Sequence, residues 1–271
     1  MTDLEIAVEA AREGAAIVLE HFSGGRTADL KGTNNPVTEA DRLSEARIVE
    51  VILSHRPTDG ILAEEGTGSA SHGRRWIIDP LDGTVNFVHG IPHMGVAVAL
   101  FEGDRGLAGV VVDPFRGEVF AAASGSGATL GGTAIAVSAR RDVSGCVVAT
   151  GFPYDHDVRA RLYAAVVEEA LRRVNGIRRF GSAALDLCWV ACGRLDGYWE
   201  LGLAPWDIAA GLVIAREAGA TVTDPDGIPS TTATPWLVAS NGHIHSELRE
   251  IVTTGIRNAQ GSAPQQAGDL E

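Results

Sequence analysis

Trp76-Ile77-Ile78-Asp79-Pro80-Leu81-Asp82-Gly83-Thr84 decides the reading of this 271-residue chain. Trp76-Ile77-Ile78 is an unbroken apolar run, the pattern of a strand covered on both faces. It closes on two carboxylates three residues apart, Asp79 and Asp82. Pro80 fixes the backbone there, and Gly83 lets a ligand approach the main chain closely. A helix opening at Gly83-Thr84 would offer its first N–H groups to an anion. Acids in front of an anion-binding turn suit a hard cation that holds a phosphate. Asp82 also reads as a plain cap of that helix, and the two readings are compatible.

Working outward, residues 3–22 repeat apolar positions at helical spacing (Leu4, Val8, Ala11, Ala15, Val18, Phe22) until Gly24-Gly25. A second helix is predicted from Thr38 to about Leu53, before Pro57. Short apolar runs then read as strands at 60–63, 75–79, 95–101, 107–112 and 119–122, with a hairpin turn over 113–117. Two helices followed by turn-connected strands predict an antiparallel sheet with helices on one side. From about residue 145 the rhythm alternates. Strands are expected at 147–150, 177–180, 196–200 and 236–239, and helices at 158–174, 183–192, 207–217 and 243–252. The result is a layered α/β chain (α+β) with one unit over 1–257, subdivided into 1–140 and 141–257. Residues 258–271 are small and polar and read as a disordered tail.

Composition bounds the function. A hydrophobic content of 45% and a charged content of 21% describe a folded globular protein. The net charge of −13 leaves no basic stripe for a nucleic acid. It also means that an anionic ester would need cations at its site. Cys146, Cys188 and Cys192 are odd in number and lack C-x-x-C spacing, as in a reducing compartment. Acids at Asp3, Glu5 and Glu9 replace the basic start of a signal peptide, and no run is long enough to span a membrane. A cytoplasmic location is expected.

Further acids could join Asp79 and Asp82. Glu64-Glu65 follows the strand at 60–63, which is expected to neighbour 75–79 in the sheet and so to bring Glu64 near Asp79. Trp206-Asp207 opens a helix, where Asp207 reads either as a cap or as a ligand reaching across from the second subdomain. Thr38-Glu39-Ala40-Asp41 reads as a capping box with Asp in place of Glu. Arg178-Arg179, ahead of Gly181, could contact phosphate but read rather as surface or subunit-interface charges. Gly125–Gly132 lacks the G-x-G-x-x-G spacing and a following Lys, and reads as a hairpin region. Gly90 and Pro92 prevent His89 and His93 from aligning as zinc ligands on a helix.

Glu64-Glu65-Gly66, the stretch from Trp76 to Phe87, Gly181-Ser182-Ala183-Ala184-Leu185-Asp186 and Trp206-Asp207-Ile208-Ala209-Ala210-Gly211 together resemble the inositol monophosphatase family. The resemblance covers about residues 3–255. Thr150-Gly151-Phe152-Pro153-Tyr154 and Tyr198-Trp199-Glu200-Leu201-Gly202 are similar to its bacterial inositol-1-monophosphatases. It implies an α-β-α-β-α sandwich of the inositol monophosphatase and fructose-1,6-bisphosphatase type. It also implies a phosphomonoesterase that uses two or three Mg²⁺ ions and a metal-activated water. By resemblance, Glu64, Asp79 and the Leu81 carbonyl would hold one ion, and Asp79, Asp82 and Asp207 another. Gly83 and Thr84 amides would bind phosphate. Glu64 and the Thr84 hydroxyl, the latter bonded to Asp41, would position the water. Asp207, Gly181, Ser182, Ala183 and Glu200 would meet the substrate, with myo-inositol 1-phosphate expected and histidinol, sugar or nucleotide phosphates as alternatives. A non-catalytic regulatory binding protein on the same fold is the rival of another class. Lithium sensitivity and a homodimer are further family expectations, and Lys31 is a loop lysine whose role the sequence leaves open.

Overall fold

A computed structural model of the chain describes residues 1–22, 28–32, 35–69 and 73–261. The first half holds α1 (Asp3–Phe22), the hairpin of β1 (Ala28–Gly32) and β2 (Asn35–Thr38), and α2 (Glu39–His55). Next come β3 (Gly60–Ala63), β4 (Gly68–Ser69), β5 (Arg74–Asp82) and the short α3 (Thr84–His89). A meander follows, made of β6 (Gly95–Glu102), β7 (Arg105–Asp113), β8 (Glu118–Ala123), β9 (Ala128–Leu130) and β10 (Thr133–Ile135). These strands form a sheet in the order β10-β9-β8-β7-β6-β5-β3-β4, antiparallel except for β3 beside β5.

The second half alternates as expected: β11 (Val147–Thr150), α4 (His156–Leu171), β12 (Gly176–Arg178), α5 (Ala183–Ala191), β13 (Gly197–Leu201), α6 (Pro205–Glu217), β14 (Thr221–Thr223), β15 (Trp236–Ser240) and α7 (His245–Gly261). Its sheet runs β12-β11-β13-β15-β14. The helix α7 continues to Gly261, so residues 258–261 are helical rather than part of a tail. Residues 262–271 lie outside the described part.

Alternation along β5 and β6 shows how the layers stack. Trp76, Ile78, Val96 and Val98 face α1 and α2, packing with Ile6 and Ile48. Ile77, Ala97 and Ala99 face the other way, onto Leu185 of α5 and Leu212 of α6. The far side of α5 and α6 meets Tyr198 and Leu237 of the second sheet. The outer face of that sheet, with Val148 and Val238, packs on Val166 of α4 and Leu248 of α7. The first sheet therefore has helices on both faces, not one. The covering helices on its second face come from beyond residue 182, out of reach of a local reading. The five layers are those of an α-β-α-β-α sandwich.

The contact between α6 and β7 is unusually close. A β-carbon at Gly109 would lie 2.7 Å from the Ala210 carbonyl oxygen. Gly109 thus sets how near α6, and Asp207 in its first turn, can come to the first sheet. His245 is buried between Thr223 and Ser240, 3.0 Å from each hydroxyl. All three cysteines are free.

Candidate active site

Strand register places the first acids. In the parallel pair β3 and β5, Ala63 stands opposite Ile78, so Glu64 leaves the sheet beside Asp79. The Glu64 N–H donates to the Ile78 carbonyl at 3.2 Å. In a regular strand, residues three apart point to opposite faces. Asp79 pairs with Ala97 and Asp82 with Gly95, so β5 takes three steps where β6 takes two. This bulge returns Asp82 to the same face as Asp79, toward α5 and α6. Pro80 suits the bulge because it has no N–H to give the ladder, and its carbonyl accepts from Ser44 Oγ at 2.9 Å.

Asp79 is only 2% exposed, with one oxygen accepting the Leu81 N–H at 3.1 Å. Asp82 does not cap α3. Gly83 occupies that N-cap in the left-handed region, at φ 111°, without a side-chain cap. The Asp82 carboxylate reaches instead to α5, where it accepts from Ser182 Oγ and from the Ala184 N–H, both at 2.7 Å. Ser182 is itself the N-cap of α5 and accepts from the Leu185 N–H. Asp207 is the third residue of α6, behind an Ala204 N-cap and Pro205, and its carboxylate turns back to accept the Ala204 N–H at 2.7 Å.

Asp41 serves both of its readings at once. One oxygen closes the capping box of α2 with Thr38, and the other accepts from Thr84 Oγ1 at 3.1 Å. Thr84 Oγ1 also lies 3.2 Å from the Leu81 carbonyl oxygen. The Lys31 side chain is outside the described part.

Glu64, Asp82, Ser182, Ala183, Glu200 and Asp207, drawn from both halves of the chain, line one pocket. Gly83 and Gly181 also border it, and Arg179 is the one basic side chain on its lining among the described residues. Arg179 projects over the Phe152 ring at 6.0 Å. Sequence reasoning gave no site role to Gly151 or Tyr154, which also line the pocket. The motif that holds both was legible as a resemblance, but nothing local says that the loop after β11 faces the acids.

Burial, then the neighbouring Glu64, Asp82 and Asp207, hold the Asp79 carboxyl well above the usual range. Asp207 is raised by burial and then by Asp82. Asp82 is pushed up to about 6 by burial, against the opposing donors of α5. Asp82 and Asp207 line the pocket and Asp79 lies behind them, 2% exposed; among the described residues no three aspartate, glutamate, histidine or cysteine side chains are already arranged to hold a metal ion. One oxygen each of Asp79, Asp82 and Asp207 is held by protein donors, which orients the carboxylates. Hard oxygen donors that repel one another fit a small divalent cation.

Comparison with known proteins identifies the family. A sequence model of the inositol monophosphatase family matches residues 2–258. An inositol-1-monophosphatase of Rhizobium meliloti is 43% identical over 229 residues, 84% of this chain and 86% of the relative. A protein of Pasteurella multocida named Nus factor SuhB is 41% identical over 251 residues, 90% of this chain and 93% of the relative. The structure of an IMPase from Thermotoga maritima superposes with a TM-score of 0.89 at 35% identity, covering 96% of this chain and all (100%) of that one. By class the protein is a phosphoric monoester hydrolase. The chain belongs to the inositol monophosphatase family.

Proposed function

We propose that this phosphatase hydrolyses the phosphate ester of a small polyol, with myo-inositol 1-phosphate as the best substrate, and that Mg²⁺ is its metal. The observation that carries the reading is the pocket itself, which gathers Glu64, Asp82 and Asp207 from both halves of the chain together with the Glu200 carboxylate. Glu64, Asp79, Asp82, Asp207 and the Leu81 carbonyl would hold the ions. Bound there, two or three Mg²⁺ supply positive charge to the phosphoryl oxygens and a nucleophile at neutral pH. The Gly83 and Thr84 amides, at the start of α3, face phosphate oxygens. Glu64 and the Thr84 hydroxyl orient the attacking water, and Asp41 fixes the direction in which that hydroxyl donates. On the alcohol side, Glu200 accepts hydrogen bonds from polyol hydroxyls, while Gly181, Ser182 and Ala183 shape the wall.

A phosphate-release panel with Mg²⁺ tests the substrate. Faster turnover of inositol phosphate than of histidinol, sugar or nucleotide phosphates is expected, and a clear preference for histidinol phosphate would refute the choice. The name of the Pasteurella relative favours a second reading, a regulatory role on the same fold. Asp79→Asn separates the two, because it should abolish phosphate release and leave partner binding intact. A homodimer, lithium inhibition and a cytoplasmic location accompany the proposed function as family expectations. Among the described residues no helix is long and apolar enough to cross a membrane.

A further inference from the structure

Glu200 is gripped from two directions that the chemistry above does not use. Tyr198 precedes it by two residues on β13, so both side chains leave the same face of the strand. Tyr198 has no exposed surface, and its hydroxyl donates to Glu200 Oε2 at 2.5 Å. The second grip is a missing side chain. β11 runs parallel to β13 with Thr150 opposite Trp199, which sets Gly151 beside Glu200. A β-carbon at Gly151 would fall inside the Glu200 carboxylate. The backbone there is not left-handed, so glycine is present for the room it leaves and not for its φ.

Building on the polyol reading, we propose that Tyr198 and Gly151 are the positioning residues of Glu200. The Tyr198 hydroxyl tethers one carboxylate oxygen. The absent side chain at 151 gives the group its place against the pocket wall, with the remaining lone pairs turned to a substrate hydroxyl. Selectivity for a hydroxylated alcohol is then set by two residues that need not touch the substrate. A phenol is a good tether here, since its one O–H is directed at the acid and a hydrogen bond to an ionised acceptor is stronger than a neutral one.

The test compares kcat/KM for myo-inositol 1-phosphate with that for an aryl phosphate lacking hydroxyls, using the full chain with Mg²⁺. In Tyr198→Phe and in Gly151→Ala the ratio of the two should fall by about tenfold, the worth of one hydrogen bond to a charged group. The loss should fall on KM for the polyol ester. In a Glu200→Ala background, adding Tyr198→Phe should lower the ratio no further, an outcome that a merely structural role of the tyrosine would not give. A ratio kept within about twofold of the starting protein in both single variants, or full additivity in the double variant, would overturn the inference. If the unsubstituted protein shows no preference for the hydroxylated ester, the polyol reading falls and this inference with it. A preference that survives both substitutions defeats the inference alone.

Discussion

Asp82 accepts a hydrogen bond from Ser182 Oγ at 2.7 Å, although the two residues stand 100 positions apart in the chain. Through the Ala184 N–H the same carboxylate also holds the first turn of α5. A residue proposed to bind a cation is therefore part of the joint between the first sheet and the middle helices. Its charge and its accepting oxygens can be separated by substitution. Asp82→Asn keeps an acceptor for α5 but loses the charge, whereas Asp82→Ala loses both. Both should lower kcat/KM by more than the about 10–100-fold typical of groups one layer behind a metal. Only the alanine variant should also lose stability, by about 1 kcal/mol, the worth of a helix cap. Thermal denaturation beside phosphate release checks the split.

Thr84 and Asp41 give a second separation. Thr84→Ser retains the hydroxyl that donates to Asp41 and should stay close to full activity. Thr84→Val removes it at nearly equal volume and should cost about 10²-fold or more in kcat, in the range of a lost proton-transfer or water-orienting group. Asp41→Asn should reduce kcat and also weaken the capping box of α2, lowering Tm, which Thr84→Val should spare.

Packing reaches the site through Gly109. Gly109→Ala drives a β-carbon into the backbone of α6 at Ala210, with no flexible side chain to yield. Overpacking of this kind costs about 1–3 kcal/mol. Because α6 carries Asp207, Mg²⁺ affinity should weaken along with Tm, although residue 109 touches no proposed ligand. Calorimetric titration with Mg²⁺ alone reads this directly.

The pH dependence follows from Glu200, whose carboxyl is pushed up to about 7, chiefly by burial. Between the ordinary carboxylate range and that value the folded protein keeps a proton that the unfolded chain releases. Folded protein then binds more protons than unfolded, so this group makes stability fall as pH rises through the window. His93 and His245, each lowered to about 4 by burial, act in the opposite sense over part of the same range. A variant difference isolates the acid. Without divalent cation, Tm of Glu200→Gln minus Tm of the unsubstituted protein should be positive near about pH 8 and close toward zero near about pH 5. A gap that widens on acidification would contradict the assignment.

Much of the candidate site is legible in the sequence because its signals are local. The apolar strand before Asp79, Pro80 and the Gly83-Thr84 turn all sit within nine residues, and the parallel neighbour that brings Glu64 alongside is a short step away. The capping box at Thr38 and Asp41 was equally plain. What escaped depends on distant partners. The bulge that aligns Asp82 with Asp79 appears only in the register with β6. The true helix partner of Asp82 lies a hundred residues on. Likewise Tyr198 reads in the sequence as one more apolar strand residue, and Gly151 as a loop glycine, until β11 and β13 are paired. The β1–β2 hairpin was missed because Asn, Pro and Gly there read as loop.

The proposed Mg²⁺ site draws its acids from both halves of the chain, and Asp79 is the ligand proposed for both ions. Mg²⁺ titration and release of phosphate from myo-inositol 1-phosphate should therefore be measured on the same preparations of the unsubstituted protein and Asp79→Asn. Mg²⁺ binding and hydrolysis are expected in the first, both removed by a chelator, and loss of both in the second. Hydrolysis that persists in the chelator, or an Asp79→Asn protein that binds Mg²⁺ and turns over unchanged, would contradict it.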